Sequence, residues 1–199
     1  KGGILTIRTS EVIGRSKELN VHIKVNKNIT SINAYNNTSI NSNNSLIIDN
    51  LTINAFDTSD FSLKLNSKNL TINGKTSSKF NFEILSTDVT IKTESSSELK
   101  ATINTQNIVL EISDKSVITL IGNSNDLSLE SYSSASYKGK GFITKNATIQ
   151  ANNDTNISIN ASEKLSVSLN NTSELNVYSN PAIIINEFND KALLRKKEL

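Results

Sequence analysis

Glu111 and Glu130 are the two residues of this 199-residue sequence whose type and spacing come nearest to doing chemistry. They stand nineteen positions apart, at matching places in a pattern that recurs at that interval. If the interval is one structural turn, both carboxylates occupy one outward column, about one strand spacing (~4.8 Å) from each other. Such a pair can raise one pKa for acid work or hold a hard cation. The whole column runs Asn54, Asn73, Lys92, Glu111, Glu130, Gln150 and Ser168, and reads more simply as a surface ladder of mixed charge. His22, the single histidine, sits between Val21 and Ile23 and faces away from them, the place of a solvated edge residue rather than a general base. No Ser-His-Asp set and no metal cluster can be assembled. There is no Cys, which excludes thiolate chemistry and disulfides. The expectation is therefore no catalytic residue, no metal and no cofactor.

A different chemistry is written in the neighbouring outward column: Thr52, Thr71, Thr90, Val109, Ser128, Thr148 and Ser166. Rows of hydroxyls beside the amides of Asn54 and Asn73 suit a repetitive neutral ligand such as a glycan, because many weak hydrogen bonds at a fixed spacing add through multivalency. The ligand-binding face expected here consists of Thr52, Thr71, Thr90, Asn54, Asn73 and Thr148. Threonine ladders also suit ice, but Lys92, Glu111 and Glu130 interrupt a regular face, and threonine is in any case a good exposed-strand residue. The sequons at Asn50, Asn69 and Asn146 are explained by composition and by their place before strands.

These columns exist only if the chain winds regularly, and its apolar residues say that it does. Leu51, Leu70, Val89, Ile108, Leu127, Ala147 and Leu165 recur in steps of 19, 19, 19, 19, 20 and 18, each followed two residues later by a second apolar residue. Phe61, Phe80, Leu99, Ile118, Tyr137, Ile157 and Leu175 repeat the same steps ten residues on. Period-two alternation marks strands. A unit of about 19 residues with two strands buries what no single repeat can bury only by stacking. The reading is an all-β, right-handed parallel β-helix (β-solenoid) of about seven to eight coils with N- and C-terminal capping strands. Residues 1–199 form one domain: capping strands over 1–31, repeat coils over 32–180, and a C-terminal cap over 181–199. Small polar corners are expected at Ser59, Ser78, Ser97, Ser116, Ala135, Thr155 and Ser173, and a polar ladder, mostly Asn and Asp, at Asn50, Asn69, Asp88, Asn107, Asp126, Asn146 and Lys164. Gly139 and Gly141 follow Tyr137 at the next inward positions and leave room for its ring; "KGKGF" lacks the context of a phosphate loop.

Composition bounds the partners. Twenty-one basic residues against 19 acidic ones give a net charge of +2, with only the short "LLRKKEL" end basic, so no nucleic-acid footprint is present. No apolar run approaches the ~18 residues of a membrane span, so this chain is not expected to insert. The start "KGGILTIRTS" has neither an initiator Met nor a signal-peptide pattern, as expected of a mature or trimmed fragment.

Leu5-Thr6-Ile7, Val21-His22-Ile23-Lys24-Val25, the link Ile29 to Ala34 and the closing Tyr178-Ser179-Asn180-Pro181 give the sequence a family resemblance. It resembles the GIN domain, the head domain of bacterial autotransporter adhesins, over nearly the whole chain. It departs from that family where Gly-rich corners are replaced by "AFDTSD", "KTESSSE" and "LNNTSE". The resemblance implies a β-solenoid in an extracytoplasmic protein of Bacteroidota type (periplasm, outer membrane or cell surface), with an adhesive role and no established catalytic residues. The function expected is a non-enzymatic adhesion or surface-binding module engaging carbohydrate or a cell-surface polymer. A polysaccharide lyase or hydrolase on the same scaffold and a structural spacer are the alternatives, and self-association is left open.

Overall fold

Inward side chains two residues apart, repeated every 19 residues, force each coil onto its neighbours, and the strands pair accordingly. A computed structural model describes residues 4–8, 20–25 and 28–198. Thirteen strands form one hydrogen-bonded system in which every pairing is parallel. They are β1 (Ser31–Ala34), β2 (Ser39–Ile47), β3 (Asn50–Ala55), β4 (Asp60–Gly74), β5 (Lys79–Thr93), β6 (Glu98–Asn104) and β7 (Asn107–Ile112). Then follow β8 (Val117–Ser131), β9 (Ser136–Ala151), β10 (Asn156–Leu169), β11 (Glu174–Val177), β12 (Ala182–Phe188) and β13 (Leu193–Lys196). The chain is a parallel β-solenoid. Its long strands carry the second strand of one coil through a bend into the first strand of the next.

One column traces the stack from end to end: Ser31, Thr52, Thr71, Thr90, Val109, Ser128, Thr148, Ser166 and Ile184 lie in register, giving about nine turns rather than seven to eight. The difference arises at the ends. β12 pairs on β10, with Leu165 opposite Ile183, and β13 on β11, with Leu175 opposite Leu194, so strands of residues 182–196 add a last, largely exposed turn at the C-terminal end of the stack. Capping strands were expected at Leu5–Ile7 and Val21–Val25, but residues 4–8 and 20–25 are exposed and lie in no strand. An alternating segment becomes a strand only where an edge takes its hydrogen bonds, and among the described residues β1 and β2 pair only with β3 and β4. The rest of 1–31 before Asn28 lies outside the described residues.

The core is one continuous apolar column system running from Ala34 to Ala192. Its layers match the two series of the sequence, and a third inward series, Leu65, Ile84, Ile103, Gly122 and Phe142, completes the second strand of each coil. The ladder shifts between Thr119 and Ile121, where the twenty-residue coil absorbs its extra residue. This shift overturns the inward placement of Gly141, which is exposed opposite Ile121 while Phe142 fills the core. Gly139 is buried as expected, and a Cβ there would meet the Tyr137 ring at 2.4 Å.

Two polar corners close each coil. At one, Ser59, Ser97 and Ser173 are buried and donate their hydroxyls to the carbonyls of Phe56, Glu94 and Asn170, capping the turn just made. That turn requires left-handed backbone, and non-glycine residues supply it: Thr76 and Ser77, Ser95 and Ser96, Asp114 and Lys115, Ser133 and Ser134, Asn153 and Asp154 all have positive φ. At the other corner, the hydroxyls of Ser86, Thr105 and Thr144 each lie within hydrogen-bonding distance of two carbonyls, one in their own coil and one in the preceding coil, that share its single proton.

Candidate functional site

The outward columns of the sheet built from β1, β3 and the first strands of later coils are fixed by the pleat, since residues 52 and 54 must face out when 51, 53 and 55 face in. Thr52, Thr71 and Thr90 stand in register and half-buried, packed side by side rather than waving in solvent. Thr148 lies in the same column and is exposed. Asn54 and Asn73 lie two residues along the same face. Their carboxamides are bonded in series: Asn54 Nδ2 donates to Asn33 Oδ1 at 2.7 Å, and Asn73 Nδ2 donates to Asn54 Oδ1 at 2.8 Å. A carboxamide has two N–H donors and two lone pairs, so each member keeps hydrogen-bonding capacity after joining the ladder.

The next coils change character. Lys92 Nζ bonds Glu111 Oε1 at 2.7 Å, and Glu111 lies opposite Glu130 in the register, which confirms the column expected from spacing. Glu130 Oε2 in turn accepts from Tyr132 Oη at 2.8 Å. Burial, and then the bond to Glu130, push the Tyr132 hydroxyl above its ordinary pKa. The two carboxylates are thus engaged by a cation on one side and a phenol on the other. No third acid or imidazole joins them: among the described residues no group of three His, Cys, Asp or Glu side chains assembles. His22 is exposed and outside any strand.

Corner ladders border the face. Asn69 Nδ2 donates to Asn50 Oδ1 at 2.7 Å, Asn107 Nδ2 to Asp88 Oδ1 at 2.7 Å, and Asn146 Nδ2 to Asp126 Oδ1 at 2.9 Å. The opposite sheet is more highly charged, with Lys64 paired to Glu83 at 2.9 Å, Lys100 to Glu98 at 2.8 Å, and Lys140 set 5.0 Å from the centre of the Tyr178 ring. A hollow lined by Val177, Ser179, Pro181, Ile183, Leu194 and Lys196 lies near the last coil, and Lys196 Nζ is bonded to the Ser179 carbonyl at 2.5 Å.

One element of the face was not anticipated. Tyr35 and Phe56, which follow β1 and β3, continue the outward alternation past Asn33 and Asn54 and stack with ring centroids 4.8 Å apart and planes 2° apart. The signal was present as "NAYNN" and "NAFDT", spaced by 21 rather than 19 residues, so a strict nineteen-residue comparison misaligns them.

Compared with known proteins, the chain matches the model of one family, described as "Putative auto-transporter adhesin, head GIN domain", over residues 1–83 and again over residues 71–181. No curated protein and no solved structure matches it.

Proposed function

The chain belongs to the head GIN domain family, and we propose that it is a non-enzymatic, extracytoplasmic adhesion module that binds neutral carbohydrate or a cell-surface polymer along its Thr and Asn columns. The observation that carries this reading is the continuity of the face. Hydroxyls and amides stand in register over Thr52, Thr71 and Thr90 beside Asn54 and Asn73, with the amides held in a hydrogen-bonded series. Side chains already ordered in the free protein lose little entropy on binding, which favours a weak, repetitive interaction. Repetition then supplies avidity, since each coil adds a further contact at the same spacing. A turnover mechanism would need an acid and a base or nucleophile set apart by environment. Glu111 and Glu130 are instead held by Lys92 and Tyr132.

The test is retention of the purified chain in native gels containing soluble neutral polysaccharides (galactomannan, arabinoxylan, hydroxyethylcellulose, dextran), with reducing ends assayed in parallel. Retardation by at least one of them, without release of sugar, is expected. Replacing Thr52, Thr71 and Thr90 together by Lys leaves the fold intact, because lysine stems lie along the surface while their heads reach water, and abolishes retardation. Release of shortened or unsaturated sugars by the parent chain replaces this reading with an enzymatic one.

A further inference from the structure

We infer that Tyr35, backed by Phe56 and flanked by the Asn33 carboxamide, forms a sugar-stacking subsite at the first two coils, where a neutral hexose ring lies against Tyr35. This inference rests on the glycan reading above and places its strongest contact.

Four observations converge on these residues. Tyr35 is 54% exposed although it is stacked on Phe56, so the pair is not consumed by the core. Phe56 covers one face of the Tyr35 ring, and no other ring or cation covers the second face among the described residues. An amphipathic aromatic face of this kind matches the C–H face of a pyranose, and Tyr presents it at small entropic cost because only two side-chain torsions need fixing.

The platform is also held still. Thr38 Oγ1 donates to the Tyr35 carbonyl at 2.6 Å, and Asn36 N donates to Asp57 Oδ2 at 3.0 Å. Phe56 N donates to the Ala34 carbonyl at 3.0 Å, and Ser59 Oγ donates to the Phe56 carbonyl at 2.6 Å. The backbone on both sides of both rings is therefore tied, and binding does not have to order it.

Hydrogen-bonding groups stand at the right remove. Asn33 and Asn54 precede the rings by two residues on the same outward side, about 6.6 Å along the strand, the width of a hexose with its hydroxyls. Asn33 heads the amide series: its Oδ1 accepts from Asn54 Nδ2, and also from Ser31 Oγ at 3.4 Å, while among the described residues its own N–H donors have no hydrogen-bond partner. Asn33 lies on the same strand as Tyr35, so a ring stacked on the uncovered face of Tyr35 can take donors from Asn33 at its edge, while Asn54, one coil away on the Phe56 side, holds the Asn33 carboxamide in place.

The electrostatics choose among ligands that stack. A nucleobase would also lie on Tyr35, but single-stranded nucleic acid needs a cationic track beside the platform. Ser31, Asn33, Thr52, Asn54, Thr71 and Asn73 carry no charge, and Lys75, which follows Gly74 in the next coil, is bonded to Glu94 at 3.0 Å. A neutral ring with hydroxyls fits this patch.

The experiment compares the parent, Tyr35→Ala, Tyr35→Phe and the triple Thr52, Thr71, Thr90→Lys variant in the same polysaccharide gels, with thermal unfolding as a fold control. Tyr35→Ala is expected to keep its unfolding midpoint and to weaken retardation by about tenfold, because the stack is repeated along a multivalent ligand. Tyr35→Phe is expected to stay within about twofold of the parent, since the ring and not the hydroxyl makes the contact. If Tyr35→Ala binds like the parent while the triple variant loses binding, the subsite is wrong and the broader glycan reading stands. If the parent is retarded by none of the polysaccharides, both fall. Tighter binding to single-stranded oligothymidine than to any polysaccharide, lost in Tyr35→Ala, also overturns the subsite.

Discussion

The ring of Tyr137 fills the space that a side chain at residue 139 would occupy: a Cβ on Gly139 would lie 2.4 Å from Cε1 and 2.5 Å from the hydroxyl oxygen. Tyr137 is fully buried in a column otherwise filled by Ile118 below and Ile157 above, and its hydroxyl has no partner among the described residues. Burial pushes that hydroxyl far above its ordinary pKa. The glycine is therefore the packing complement of the tyrosine, and the hydroxyl is a cost the layer carries.

Gly139→Ala is expected to destabilise the fold by about 1–3 kcal/mol through overpacking. Tyr137→Phe is expected to be neutral or to stabilise by about 1 kcal/mol, because it removes an unsatisfied buried donor. The two changes share a contact, so their effects should not add. Chemical denaturation of the single and double variants measures the coupling, and additive effects would mean that the ring does not lie over residue 139.

Thr76 adopts φ of 56° in the left-handed corner, a region unfavourable for a β-branched residue. Asn36 and Asn153 take the same conformation at corners of other coils, with φ of 59° at each. Thr76→Asn is expected to raise stability by about 0.5–1 kcal/mol, as left-handed strain is relieved. The unfolding midpoint should rise, and a fall would show that the threonine makes a compensating contact.

Glu174 ties the last coil to the stack through Arg195, with Nη1 to Oε1 at 2.7 Å. The bond from Asn176 Nδ2 and then the charge of Arg195 hold its carboxyl below the ordinary carboxylate value, against the opposing effect of burial. A lowered folded pKa means that the unfolded chain takes up the proton first as pH falls. Stability from Glu174 is thus fully present above the ordinary carboxylate range and is lost as pH drops through the lowered folded value. Hydrogen exchange of Leu193–Lys196 is expected to lose protection across that interval in the parent, while Glu174→Gln starts less protected and shows a flatter acid response. Identical profiles would remove this pair from the account.

How much of this was legible in the sequence differs between the columns and the ends. The two apolar series with their shared insertion and deletion determined the solenoid, its coil length and the register of Leu51 through Leu165, because stacking makes each inward residue answerable to its equivalents one turn away. The same logic placed Glu111 opposite Glu130 and aligned the Thr column. Tertiary structure alone decided what periodicity does not encode. It laid residues 182–196 on the last coils in parallel register, since pairing depends on an edge being available and not on the repeat being regular. It moved Gly141 outward and Phe142 inward, because a bulge reverses every side chain after it. It engaged Glu111 with Lys92 and Glu130 with Tyr132, partners whose rotamers no spacing rule specifies. Last, it brought Tyr35 onto Phe56 across an interval of 21 residues, where the corner and not the nineteen-residue period sets the alignment.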